Sequence, residues 1–454
     1  MKFLFILLFC ILFCIVNDYA NISGVTVITH GFQLDGSSIR DDKNAWVLNM
    51  AKAILQQNGG GKIYYYNRNT GLYDIDTDNG DGEVVLIFDW ALESNFDGKG
   101  FSEAAGDALF SSLIRSGFPL NNLHFIAHSR GTIVNTVAVE RLLHLKQKYE
   151  MDIKIDMVTN IDAHDWGEGG VGIDYHNIYP TISIDEPTEH QPNNGVISWQ
   201  GVGFSDSYYQ ENFIEGPTLL HGRKVKGTFS KEWKKDLDGT NFVHSDFFLN
   251  PPNCTGIYNG YIKTILSTNY GLEGGYQFRI DKFSRPVLFS SKKSVEFDFF
   301  NRTPNRIRGI VNGSFDRGED NYVPGWGVKH GGGGNAVISA GKLKFNNKQW
   351  RKHNFFYVPK DAKCLKFKFS NLHNCPNSKL EVALFLENNE KVKLTESLSK
   401  LIISDTLLKI DISEYQNKVI ALELRTLGDC SNQTVLIDDV EFGKESVEDD
   451  EMSA

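Results

Sequence analysis

LHFIAHSRGTIVN, residues 123–135, is the stretch on which the reading of the fold turns. Its first five residues, 123–127, are an apolar run that predicts a buried strand. The run breaks at His128-Ser129-Arg130 and resumes from Gly131 with a helical period that predicts a helix over 132–149. Ala127 and Gly131 flank Ser129 at minus two and plus two, so strand and helix can approach closely around a strained turn. A serine on such a turn has its hydroxyl exposed, and the amide of the next residue, Arg130, is aimed at an oxyanion developing beside it. The pattern Ala-His-Ser-Arg-Gly departs from the commoner Gly-x-Ser-x-Gly only at its first position.

Working outward, strands are expected at 25–29, 63–66, 84–88, 123–127 and 155–161, with helices near 44–57, 102–115 and 132–149. Continuous apolar runs such as VVLIF suit parallel strands covered on both faces. The alternation predicts a doubly wound α/β domain, in which ligands bind beyond the carboxyl ends of the strands, where Ser129 lies. Between 165 and 243 the pattern loosens into Gly-, Asn-, Asp- and Tyr-rich sequence, expected to form the rim or lid of a cleft. From about 306 the texture changes again. LKFKFS, LEVALFL, LLKIDI, VIALELRTL and TVLIDDVEF alternate with turn residues and predict an all-β sandwich. The expected organisation is a signal peptide at 1–20, a catalytic α/β domain at 21–305, a β-sandwich at 306–445 and an acidic tail at 446–454.

The chain has 454 residues, 41% of them hydrophobic, which is too long for one compact core. A net charge of -10 without a clustered basic face argues against a nucleic-acid partner. Lys2 followed by fourteen apolar residues and then Asn17-Asp18-Tyr19-Ala20 has the n- and h-regions of a secretory signal. That run is short of the roughly 20 residues of a membrane span, so an exported protein is expected. Beyond it lie Cys254, Cys364, Cys375 and Cys430, an even number that permits two disulfides; Cys375 with Cys430 is the favoured pair. Sequons at Asn21, Asn253, Asn301, Asn312 and Asn432 allow a glycoprotein.

A nucleophilic serine needs a base, and the base needs an orienting carboxylate. On a strand-turn-helix of this kind the acid follows the next strand and the histidine comes after the acid. The residue leaving the 155–161 strand is Asp162, with Asp165 second and Asp185 and Asp206 weaker. Among His164, His176, His190, His221 and His244, the last is placed best, late in the domain, with His221 second. A second oxyanion donor is expected from the amide of Phe32, because His30-Gly31-Phe32 directly follows the first strand. His30 organises that loop, and His30, Gly31 and His128 are expected on the substrate side of the site. DIDTDNGDGE, residues 74–83, has the flavour of a calcium loop, but its sixth position is Asn79 and its twelfth Val85. An acidic turn is expected there, and no cofactor or metal is required by the chemistry.

With these residues in this order, the first domain resembles the secreted lipase/esterase branch of the α/β-hydrolase family. IFDWAL, residues 87–92, is similar to the strand-Asp-Trp segment of pancreatic-type lipases, and NIDAHD lies where those enzymes carry their acid, which favours Asp162 over Asp165. The resemblance covers about 24–290 and implies hydrolysis of a lipid or acylated-carbohydrate ester. Ala127 at the first elbow position and the lack of a long apolar lid set it apart from lipases activated at interfaces. The C-terminal segment, with NGSFDRG, PGW and LIDDVEF, is similar to jelly-roll carbohydrate-binding modules, which implies a polysaccharide as a further partner. The remaining alternatives are a peptidase or amidase, and an adhesive carbohydrate-binding protein with a vestigial site.

Overall fold

A computed structural model describes residues 22–33, 38–40, 45–68, 70–94, 101–165, 183, 195–212, 221–245, 253–267, 270, 272, 274–286, 310, 315, 326, 336–346, 349–353, 356–358, 361–371, 379–386, 390–394, 406–416, 418–427 and 434–445. The segment read as a signal, Cys375, Cys430, Asp185, His176, His190, the acidic tail and every sequon but Asn253 lie outside them. Among the described residues no helix is long and apolar enough to cross a membrane.

The first unit is a mixed eight-stranded sheet covered by helices. Its strands are β1 (Ile22–Thr29), β2 (Gly61–Asn67), β3 (Leu72–Asp78), β4 (Gly82–Phe88), β5 (Leu123–His128), β6 (Ile155–Ile161), β7 (Phe204–Tyr209) and β8 (Phe229–Glu232), in the spatial order β3-β2-β4-β1-β5-β6-β7-β8. All neighbours pair parallel except β2 with β3. Helices α1 (Trp46–Gln57), α2 (Phe101–Ser116), α3 (Gly131–Tyr149) and α4 (Ile257–Leu266) cover it. Alternation along the strands divides the core in two. Val25, Val27, Leu86 and Phe125 face α2 and α3, whereas Ile28, Ile87, Ile126 and Ile161 face α1 and α4. Strands β5 and β6 are buried along their whole length, as their unbroken apolar runs require.

Three strands of this sheet went unread in the sequence: β8, four residues long, and β3 and β7, each for a physical reason. β3 is an edge strand whose acidic residues keep it soluble and mask its alternation. The 74–83 stretch is therefore strand as well as turn: its aspartates are strung along an extended edge, Asp74 held by the Asn67 amide and Asp78 by Lys62. β7, FSDSYY, is buried almost throughout although half of it is polar. Its Asp206 carboxyl is pushed up to about 7 by burial, against the opposing hydrogen bonds of Tyr208 and Thr159.

The α/β unit is fastened at its end. Arg279, Lys282 and Arg285 converge on the Asp156 carboxylate at 2.8, 2.8 and 3.0 Å, at the start of β6. Arg279 also holds Asn122 just before β5, at 2.8 Å, and reaches Glu83 of β4. The last segment is thus tied across the amino ends of three strands.

The second unit packs two antiparallel sheets over one core. β11 (Val337–Ser339), β12 (Lys342–Asn346), β15 (Cys364–Asn371), β18 (Thr406–Asp411) and β20 (Thr434–Gly443) make one sheet. β13 (Trp350–Lys352), β14 (Phe356–Tyr357), β16 (Lys379–Leu386), β17 (Lys391–Lys393) and β19 (Val419–Leu427) make the other. Leu365, Phe367 and Phe369 of β15 face Leu380, Val382 and Leu384 of β16 in the shared core, with Trp326. Cys254 and Cys364 are free thiols, so the two-disulfide arrangement permitted by the even count is not formed.

Candidate active site

β5 ends at His128, and Ser129 takes a left-handed backbone, φ 55°. For a residue with a Cβ that conformation costs of order 1–3 kcal/mol, which the surrounding packing must over-determine. Gly131 shows how. A Cβ there would lie 2.3 Å from the His30 carbonyl oxygen and 2.8 Å from that of Thr29. Only glycine lets the start of α3 press against the end of β1. Gly31 is held equally close, since its Cβ would lie 2.6 Å from the Ser129 Cβ and 3.1 Å from its Oγ. The loop after β1 therefore runs beside the serine hydroxyl.

Asp162 leaves β6, also in the left-handed region at φ 48°, and its side chain is fully buried. His244 follows strand β9 (Asn241–Val243), which pairs with β10 (Cys254–Gly256). The structure brings these residues to Ser129 in one line: His244 Nδ1 lies 2.7 Å from Asp162 Oδ2, and His244 Nε2 lies 2.7 Å from Ser129 Oγ. An ionised carboxylate only accepts, so Nδ1 carries the proton and Nε2 accepts from the serine hydroxyl. Burial pushes the Asp162 carboxyl up, but the bonds from His244 and Gln210 outweigh it and hold the group below its ordinary range.

The other candidates are placed elsewhere. Asp165 receives the Arg223 guanidinium in a fork, at 2.9 and 2.6 Å, and the amide of Val196 at 2.6 Å. His221 donates from Nδ1 to the Gly222 carbonyl at 2.9 Å, and Asp206 lies within β7. His164 stands edge-on to His244, with ring centroids 5.7 Å apart. His30 is 0% exposed: its Nδ1 donates to the Gly31 carbonyl at 2.7 Å, its Nε2 accepts from the Trp90 amide at 3.1 Å, and the Trp90 indole donates to its carbonyl at 2.8 Å. It organises the loop and offers the substrate no surface. With the Gly31 carbonyl turned to the His30 ring, the Phe32 N–H of the same planar peptide points away from that ring. Phe32 is itself 38% exposed. The Arg130 side chain turns inward, to Ser102 Oγ at 2.8 Å and the Ser94 carbonyl at 2.9 Å.

His128, expected on the substrate side, is 4% exposed, and its Nε2 donates to the backbone carbonyl of His244 at 2.7 Å.

Sequence reading missed three contributors. Gln210 donates its amide to Asp162 Oδ1 at 2.9 Å and its side-chain nitrogen to Oδ2 at 3.0 Å. Gly222 caps the carboxylate so closely that a Cβ would lie 2.1 Å from Oδ1. Arg223, beside it, anchors that cap to Asp165. No periodicity or motif marks these residues, since each acts through a contact with a residue more than 45 positions away in the chain.

No family model and no curated protein matches the chain. Among solved structures it is similar to a protein of Lactobacillus plantarum WCFS1 assigned as a cell surface hydrolase, at 14% identity and TM-score 0.24, over 43% of this chain and 72% of that one. It is also similar to a family 29 carbohydrate-binding module, at 16% identity and TM-score 0.21, over 29% of this chain and 87% of that one. A third likeness is to a structure described as CBM4, at 13% identity and TM-score 0.23, over 30% of this chain and 99% of that one. At such TM-scores none of the three bears on fold or activity.

Proposed function

We propose that this protein is a serine hydrolase of the α/β-hydrolase type that cleaves carboxylic esters through an acyl-enzyme. The observation that carries the reading is the unbroken contact from Asp162 through both ring nitrogens of His244 to the Ser129 hydroxyl. Ser129 Oγ attacks the ester carbonyl carbon while His244 Nε2 takes its proton. The tetrahedral oxyanion is held by the amides of Phe32 and Arg130, a contribution of about 3–4 kcal/mol per donor in enzymes where one has been removed. His244 returns the proton to the leaving alkoxide, and the C–O bond breaks. Water, deprotonated by the same nitrogen, then releases the acid and restores Ser129. Asp162 stays ionised throughout and stabilises the imidazolium. The β-sandwich is proposed as a jelly-roll that carries the enzyme to a polysaccharide, and the leading apolar segment as its export signal.

The test is labelling with a fluorophosphonate probe followed by peptide mass spectrometry. An adduct on Ser129 is expected; its absence sinks the enzyme reading and leaves a binding protein. A matched panel of p-nitrophenyl esters and anilides separates an esterase from an amidase, and faster ester turnover is expected.

A further inference from the structure

His128 sits where four elements meet. Its ring donates to the carbonyl of His244 and lies edge-on to Trp46 of α1 and Tyr258 of α4, at 5.6 and 5.1 Å between centroids. Those two rings stack on each other at 4.9 Å and 17°. The His128 and His244 rings themselves are 4.8 Å apart. A buried imidazole beside the catalytic base is an awkward neighbour unless it stays neutral, because the base becomes a cation during the reaction. Burial, reinforced by the adjacent His244, pushes the His128 ring down to about 3, so it serves as an N–H donor on a flat plate and takes no proton.

We infer that His128 is a positioning residue: through its N–H bond to the His244 backbone and its seat on Trp46 and Tyr258, it fixes where the base stands relative to Ser129. The loop after β9 also meets the elbow through the contact between His244 Nε2 and Ser129 Oγ. That bond must break and re-form in each turnover, so it cannot hold the loop. The His128 bond is made to backbone and persists through every step. This inference rests on the serine-hydrolase reading.

The experiment compares His128→Gln with His128→Leu. Glutamine carries its Nε2 the same number of bonds from the backbone as histidine does, so it can keep the donor; leucine cannot. Both are measured for fluorophosphonate labelling rate, for kcat and KM on an ester, and for the low-field proton resonance between His244 Nδ1 and Asp162. For His128→Leu, labelling and kcat are expected to fall roughly 10–100-fold, the scale on which misplacement of a catalytic group acts. KM should stay within about twofold, since the residue touches no substrate, and the low-field resonance should shift or broaden. His128→Gln should recover most of the rate and the resonance. A leucine variant that labels at the wild-type rate overturns the inference. So does a rise in KM with kcat unchanged, which would make His128 a substrate contact. If His128→Leu does not fold, His128→Asn replaces it, because its amide is one bond too short; asparagine and glutamine acting alike would overturn the inference. Failure of the wild-type protein to label would instead sink the proposed function.

Discussion

The two halves of the eight-stranded sheet are built on different terms. From β1 to β6 the strands, apart from the acidic edge strand β3, are largely apolar, and the helices between them show a regular period; this half supplies Ser129, the loop after β1 and Asp162. Beyond Asp162 the strands are short or polar and the connections irregular, yet this half supplies His244, both Gln210 donors and the Gly222 cap. The comparison teaches that layers and sites are encoded differently. Burial of apolar area acts on every residue of a strand and leaves a period, whereas a buried carboxylate needs only two or three well-aimed polar groups from anywhere.

That contrast can be broken at several points. Ser129→Ala should abolish labelling and lower ester turnover by about 10⁶-fold, and His244→Ala by a similar factor. Asp162→Asn should cost about 10⁴-fold with the fold intact, by circular dichroism and melting; full activity in that variant would return the role to Asp165. Gly222→Ala is expected to lower kcat by about 10²-fold, because its methyl must displace the carboxylate it caps. If that variant is fully active, the second half of the sheet matters less than its geometry suggests. Arg223→Met, which removes the anchor of the cap, should act in the same direction but more weakly, about tenfold, with kcat affected before KM.

The smallest effect concerns stability. The folded state holds the Asp206 proton up to about 7, above the ordinary 3.8, so folding binds a proton there. The stability tied to this group is full below about pH 4 and is lost as the pH rises through about 7. Asp206→Asn, which retains an acceptor for the Tyr208 hydroxyl, should therefore melt higher than wild type at pH 8, by at most about 4 kcal/mol of stability. The gain should shrink towards pH 4.5. An equal difference at both values would mean that the carboxyl is not carrying its proton.

The α/β layers were legible almost to their limits: the strand expected at 155–161 is β6, and the helix expected over 132–149 begins one residue earlier. In the sandwich, the five longest strands were read and the five-residue β12 was not, while β11, β13, β14 and β17, two or three residues each, are too short for alternation to register. The meeting of Ser129, Asp162 and His244 was legible because order along a strand-helix-strand path constrains it. The direction of His128 was not, nor were Gln210 and Gly222. Two carboxylates three residues apart make the limit concrete. Asp162 meets a histidine and Asp165 an arginine, and nothing within NIDAHD distinguishes them without the partners that arrive 58 and 82 positions later.

The clasp of Arg279, Lys282 and Arg285 on Asp156 has a consequence in time. A chain emerging from the ribosome carries its nucleophile early, but His244 comes 115 residues after it, and the segment that locks the sheet comes later still. A nascent chain that has not yet reached position 244 carries Ser129 without the histidine that meets it. On the proposed reading the site is therefore completed late in synthesis, when the last segment of the α/β unit folds back across the amino ends of β4, β5 and β6.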